Sequence, residues 1–161
     1  MIIILMGVSG SGKSTIGKLL ATGLGWPFHD GDAFHSQANR EKMRNGEALN
    51  DEDREAWLLA LRQVIETVLQ AKQSTVIACS ALKQKYRDLL QVDPEEVRFV
   101  FLKGDYELLA RRMQARHNHF MPPRLLHSQF EALEEPEAAL TLDVAQPPKR
   151  IVARIKREFN L

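Results

Sequence analysis

Residues 7 to 14 hold three glycines, three serines and one lysine in a fixed order. Gly7-Val8-Ser9-Gly10-Ser11-Gly12-Lys13-Ser14 fills every constrained position of G-x-x-x-x-G-K-[ST], and Thr15 follows. The glycines let the backbone curl with its N–H groups facing inward, and a helix starting there adds the positive end of its dipole. Lys13 is long enough to reach the β- and γ-phosphates of a nucleotide, and the Ser14 hydroxyl suits Mg²⁺. This run predicts a seat for a nucleoside triphosphate. Asp30-Gly31-Asp32 is the second candidate. One of its carboxylates can support the metal while the other orients or deprotonates a hydroxyl nucleophile. A plain surface turn would read the same way from local sequence.

The phosphate run means something only between a buried strand and a helix. Ile2 to Leu5 is an apolar run of the first kind, and Ile16, Leu19, Leu20 and Leu24 repeat at helical spacing. Trp26 to His29 reads as a second strand, whose carboxyl end delivers Asp30 and Asp32 to the edge where open α/β sheets bind ligands. Residues 35–45 form a polar, basic helix. Asn50 and Asp53 predict the capped start of a long amphipathic helix to about residue 70, with Trp57 in the core. Ser74 to Cys79 is the third strand, and it ends in Cys79-Ser80 rather than in a Walker B aspartate. The metal carboxylate is therefore expected from elsewhere, which raises the weight of Asp30 and Asp32. Leu82, Tyr86, Leu89 and Leu90 mark a helix; Val97 to Leu102 is the fourth strand, and Asp105 caps a helix carrying Arg111, Arg112 and Arg116.

His117 to Arg124 is irregular and basic, so a lid is expected over about 112–128. His117 and His119 lack a cysteine or carboxylate at ligand spacing, which argues against a metal site there. A short helix from Leu125 to Leu133, a fifth strand from Leu140 to Ala145 and a final helix from Ile151 to Phe159 complete the pattern. Strands alternating with helices predict an α/β fold, with a parallel sheet covered on both faces.

The chain has 161 residues, enough for a single domain burying about 70% of its unfolded surface. Twenty-two basic and 21 acidic side chains leave a net charge of +1, which gives no electrostatic case for nucleic acid or membrane. Cys79 is the sole cysteine, no apolar run reaches membrane length, and Met1 opens directly onto the first strand. A cytoplasmic protein without a signal segment is expected.

Taken together, GVSGSGKST (7–15), DGDAFH (30–35), NREKMRNGEALNDEDREAWL (39–58), CSALKQKYRDLL (79–90), FLKGDYELLARRMQARHNHFM (101–121) and SQFEALEEP (128–136) resemble the P-loop gluconate kinases. The resemblance implies a P-loop NTPase three-layer αβα sandwich, its five parallel strands ordered 2-3-1-4-5, with a lid. It implies ATP and Mg²⁺, transfer to the primary hydroxyl of D-gluconate, and a homodimer. It gives Gly7 to Thr15 to the triphosphate, Asp32 to the acceptor hydroxyl, Asp30 to the metal, and Arg112 and Arg116 to the phosphates. Gln146 and Pro147 fall where such kinases wrap adenine. A glycine usual before His-Phe-Met in the family is replaced by His117-Asn118. Gluconate also needs a cation for its carboxylate, with Arg40, Lys42, Arg54, Lys83 and Arg87 as candidates, and partners for its hydroxyls, with His35, Ser80 and Asp51 as candidates. Shikimate kinase, a nucleoside monophosphate kinase and a nucleotide switch are the rivals. The first carries a different glycine-rich element where this chain has Cys79-Ser80-Ala81.

Overall fold

The computed structural model describes residues 1–116 and 122–161. Strand β1 (Ile2–Met6) is buried throughout and lies in the middle of a five-stranded sheet. Its side chains alternate between faces, as the pleat requires. Ile3 and Leu5 enter one core with helices α1 (Lys13–Leu24), α5 (Tyr106–Gln114), α6 (Pro123–Ala132) and α7 (Pro148–Glu158). Ile2, Ile4 and Met6 enter the other, under α3 (Asp51–Gln70) and α4 (Gln84–Leu90).

The remaining strands are β2 (Phe28–Asp30), β3 (Thr75–Ala78), β4 (Val97–Lys103) and β5 (Leu140–Asp143). All pairings are parallel and the order is β2-β3-β1-β4-β5, as expected. β1 pairs with β3 on one side, Ile3 opposite Val76, and with β4 on the other, Ile3 opposite Arg98. The chain thus switches direction across the sheet at β1, and the loop after β1 opens at that switch point. Among the described residues, no helix is long and apolar enough to cross a membrane.

Local chemistry sets the boundaries. Asn50 accepts from the Asp53 N–H at 2.8 Å while Asp53 accepts from the Asn50 N–H at 3.0 Å, the predicted capping box of α3. Ser36 caps α2 (Gln37–Arg44) by accepting from the Asn39 N–H, and Asp105 caps α5 by accepting from the Leu108 N–H. Two expectations shift. β2 begins at Phe28 rather than Trp26, because the chain leaves α1 through Gly25 and the Trp26 N–H still bonds back to Ala21. α6 begins at Pro123, not Leu125, since a proline at the first helical position loses no hydrogen bond. Residues 117–121, which hold His117, His119 and part of the expected lid, lie outside the described residues.

Candidate active site

Three strand ends build the site, those of β1, β2 and β3. After β1 the chain passes through Gly7, Gly10 and Gly12, all at positive φ (146°, 79° and 90°), a path that side chains resist. The α1 helix then starts at Lys13. Lys13 bends back over the loop, donating to the carbonyls of Gly7 at 2.9 Å and Val8 at 3.0 Å. Desolvation pulls its pKa down, while Asp32 and Asp30 pull it back up.

β2 delivers Asp30, whose carboxylate does two things. One oxygen caps the following turn by accepting from the Asp32 N–H at 3.1 Å, and the other accepts from the Ser14 hydroxyl at 2.8 Å. A hydroxyl and a carboxylate in contact are hard oxygen donors, the set that Mg²⁺ prefers, so the residues fit that ion. Gly31 is required between them: a Cβ there would collide with the Ala78 carbonyl of β3. Trp57 locks the same turn from α3 by donating to the Gly31 carbonyl at 2.7 Å.

Two hollows meet here. A phosphate cradle of about 450 Å³ is lined by the loop, Ser14, Asp30 and Arg116. A deeper cleft of about 550 Å³ runs between β2, β3, α3 and α6, with His35, Arg54, Trp57, Ser80 and Gln129 among its walls. Ser9, Lys13 and Asp32 line both. The loop, the two aspartates and a second cleft are the geometry of a kinase with a separate acceptor site.

A family model described as shikimate kinase matches residues 9–155. The thermoresistant gluconokinase of Escherichia coli (strain K12) is 44% identical over 156 residues, which span 94% of this chain and 89% of that protein. The chain belongs to the gluconokinase family. The crystal structure of a gluconokinase from Sinorhizobium meliloti 1021 superposes with a TM-score of 0.84 at 42% identity, covering 98% of this chain and 94% of that one. Shikimate kinase from Aquifex aeolicus vf5 shares the fold, with a TM-score of 0.70 at 18% identity over 99% and 96% of the two chains. A nucleotide-using kinase of the P-loop fold is the coarse identity that the family model and the gluconokinase relatives support.

Within a gluconokinase family member, the five cations expected to compete for the acceptor carboxylate separate cleanly. Arg87 is removed. The residue is 3% exposed, and its guanidinium donates to the carbonyls of Ala81, Leu82 and Glu134 and twice to Gln84 Oε1, which uses all five of its N–H groups. Lys42 is spent on Asp53, at 3.0 and 3.1 Å, and Lys83 on Asp51 at 3.2 Å. Arg40 donates to the Ala33 carbonyl at 3.0 Å and faces an adjoining hollow with Asp30 and Asp32. Only Arg54 of the five lines the cleft. It donates to the Tyr86 hydroxyl at 3.2 Å, sits 5.6 Å from that ring's centre, and has no carboxylate partner among the described residues.

His35 and Ser80 line the cleft as expected, but Asp51 does not. Its carboxylate is taken by Lys83, Lys85 and Tyr86, which hold its pKa below the usual range. His35 stacks on Trp57 with centroids 4.2 Å apart, and burial together with Arg54 and Arg40 lowers its pKa to about 4. Trp57 is therefore both core, at 3% exposure, and the floor beneath a cleft residue. Cys79 is a buried filler whose thiol is pushed up to about 12.

The arginines expected at the phosphates divide. Arg116 lines the cradle, whereas Arg112 donates to the Val144 carbonyl at 2.6 Å, beside the turn holding Gln146 and Pro147. Arg112 thus belongs with the turn rather than with the phosphate loop. Reading by residue type missed Gln129 altogether, although Ser128-Gln129 opens one of the segments carrying the family resemblance. Its signal is spacing: 125, 128 and 129 share one face of α6, and all three line the cleft.

Proposed function

We propose that this chain transfers the γ-phosphoryl group of ATP to the primary hydroxyl of D-gluconate, giving 6-phospho-D-gluconate and ADP. The observation that carries the reading is the seam where Ser9, Lys13 and Asp32 line both the phosphate cradle and the acceptor cleft. A phosphoryl group seated on the loop and a hydroxyl seated in the cleft would meet there. Asp32 orients that hydroxyl and takes its proton. Lys13 leaves its two carbonyl contacts for the β- and γ-phosphates, and Arg116 adds positive charge at the same place. The loop from Gly7 to Thr15 binds the triphosphate, with Gln146 and Pro147 at the base. Ser14 and Asp30 are the residues that would hold Mg²⁺, which supplies charge neutralisation between the phosphates.

Arg54 takes the acceptor carboxylate, and His35 and Ser80 hydrogen-bond hydroxyls along the chain of the sugar acid. His35 is neutral above its lowered pKa, so its ring offers both a donor and an acceptor. The end of α5 and the start of α6 act as a lid that excludes water, so ATP hydrolysis without acceptor should stay low. A homodimer working in a reducing cytoplasm completes the proposal. An ADP-release assay across D-gluconate, other aldonates, shikimate and nucleoside monophosphates tests it. Turnover with gluconate is expected to dominate. Absence of phosphorylated gluconate with ATP and Mg²⁺ present would refute the reading.

A further inference from the structure

Helix α6 touches the phosphate loop directly. The Ser9 N–H donates to Gln129 Oε1 at 2.7 Å, across 120 positions of sequence. Ser9 lines both hollows, but Gln129 lines the acceptor cleft and not the cradle. The contact therefore grips the loop from the acceptor side, leaving the cradle clear for phosphates. The same helix sends Leu125 and Ser128 to the cleft wall. At its first turn Arg124 donates to the Asn45 carbonyl, just before Glu47 to Leu49, which form another stretch of wall. One helix thus fastens two walls of the acceptor cleft to the loop that carries the phosphoryl group.

We infer that Gln129 is a positioning residue for phosphoryl transfer: by holding the Ser9 amide it keeps the α6 wall of the acceptor cleft in register with the phosphate loop. The inference rests on the kinase reading above and adds to it a coupling between its two halves. Transfer depends on alignment more than on base strength, and a displacement of about 1 Å can cost on the order of 10²-fold in rate. Loss of one neutral hydrogen bond, with partial realignment, sets a lower bound of about fivefold.

Gln129→Met keeps the volume and removes the acceptor oxygen, whereas Gln129→Glu keeps an acceptor for the Ser9 N–H. Hydrogen exchange of the Ser9 amide, followed by NMR on the nucleotide-free chain, reads the contact whatever the acceptor substrate is. Exchange is expected to quicken about tenfold in Q129M and to stay near wild type in Q129E. In steady-state assays Q129M should lose about tenfold in kcat/KM for gluconate, with KM for ATP within twofold. ADP release in that variant should also outrun formation of phosphorylated acid. Unaltered Ser9 exchange in Q129M overturns the inference, as does kcat/KM unchanged within twofold. A rise in KM for ATP alone overturns it too, making Gln129 a nucleotide ligand. A wild-type chain inert toward gluconate would instead refute the function, and the exchange result would still decide the contact.

Discussion

Arg54→Met is the sharpest test of the acceptor cleft. The change keeps most of the stem volume and deletes the one cleft cation among the five candidates, whose only side-chain hydrogen bond among the described residues is to Tyr86 at 3.2 Å. Tyr86 keeps its contact with Asp51, so the scaffold beneath is preserved. Hydrogen bonds to charged groups contribute about 1.5–3 kcal/mol, and each 1.4 kcal/mol is about tenfold in affinity. Losing the guanidinium should therefore cost about 10- to 150-fold in kcat/KM for gluconate. The assay compares gluconate with D-glucitol, the polyol in which a hydroxymethyl group replaces the carboxylate. Wild type should favour gluconate strongly; R54M should lose that preference while its weak activity on glucitol changes less than threefold. Arg54→Lys should fall between, because a point charge recovers attraction without the planar fork. A gluconate kcat/KM within threefold of wild type, or an equal loss on both substrates, would refute the assignment.

Other outcomes follow from the same geometry. Arg87→Met should leave gluconate KM unchanged at low temperature but lower stability by about 3 kcal/mol or more, since three carbonyls lose a buried donor. For a domain of this size that is about 6–12 °C in Tm by thermal scan. His35, near 6.5 when unfolded and about 4 when folded, is kept neutral by folding. The unfolded chain therefore binds the extra proton between those values, and stability should fall as pH drops from 6.5 to 4, by of order 3 kcal/mol. His35→Gln should flatten that limb in denaturant titrations at several pH values. Lys13→Ala should reduce kcat more than Asp32→Asn, because charge stabilisation outweighs base catalysis in a loose transition state. The Asp32 change should still cost about 10²–10⁴-fold; near-native turnover of that variant would reassign the base.

Legibility varied with how local the cause was. The phosphate loop and the capping box at Asn50 rest on short-range patterns and were visible before any coordinate, whereas the strand order came only with the family resemblance. The cations of the acceptor cleft were not separable in sequence, because what distinguishes them is who else is nearby. Lys42 and Arg54 stand on neighbouring helices, yet one is neutralised by Asp53 and the other faces the cleft with no acid partner among the described residues. Arg87 stood in sequence as one of five equal candidates for the acceptor carboxylate. It is buried because the chain at Glu134, 47 positions away, brings a carbonyl to it. Gln129 was missed for the same reason, its partner being an amide 120 positions earlier.

The sheet order explains how one fold can keep its phosphoryl chemistry while changing its acceptor. β1, in the middle, ends in the loop that grips phosphate; the β2–β3 side with α3 supplies most of the acceptor cleft, and α6 supplies the remaining wall. The end of β5 carries the turn with Val144 and Gln146, which Arg112 of α5 holds through the Val144 carbonyl. Residues such as Arg54, His35 and Ser80 can therefore be exchanged without disturbing the loop, since none of them contributes to the cradle. Asp32 cannot, because it belongs to both hollows. Within the scaffold of a shikimate-kinase-like fold, acceptor choice is thus free to drift along α3 and the β3 loop. The seam of Ser9, Lys13 and Asp32, braced from α6, has to stay where it is.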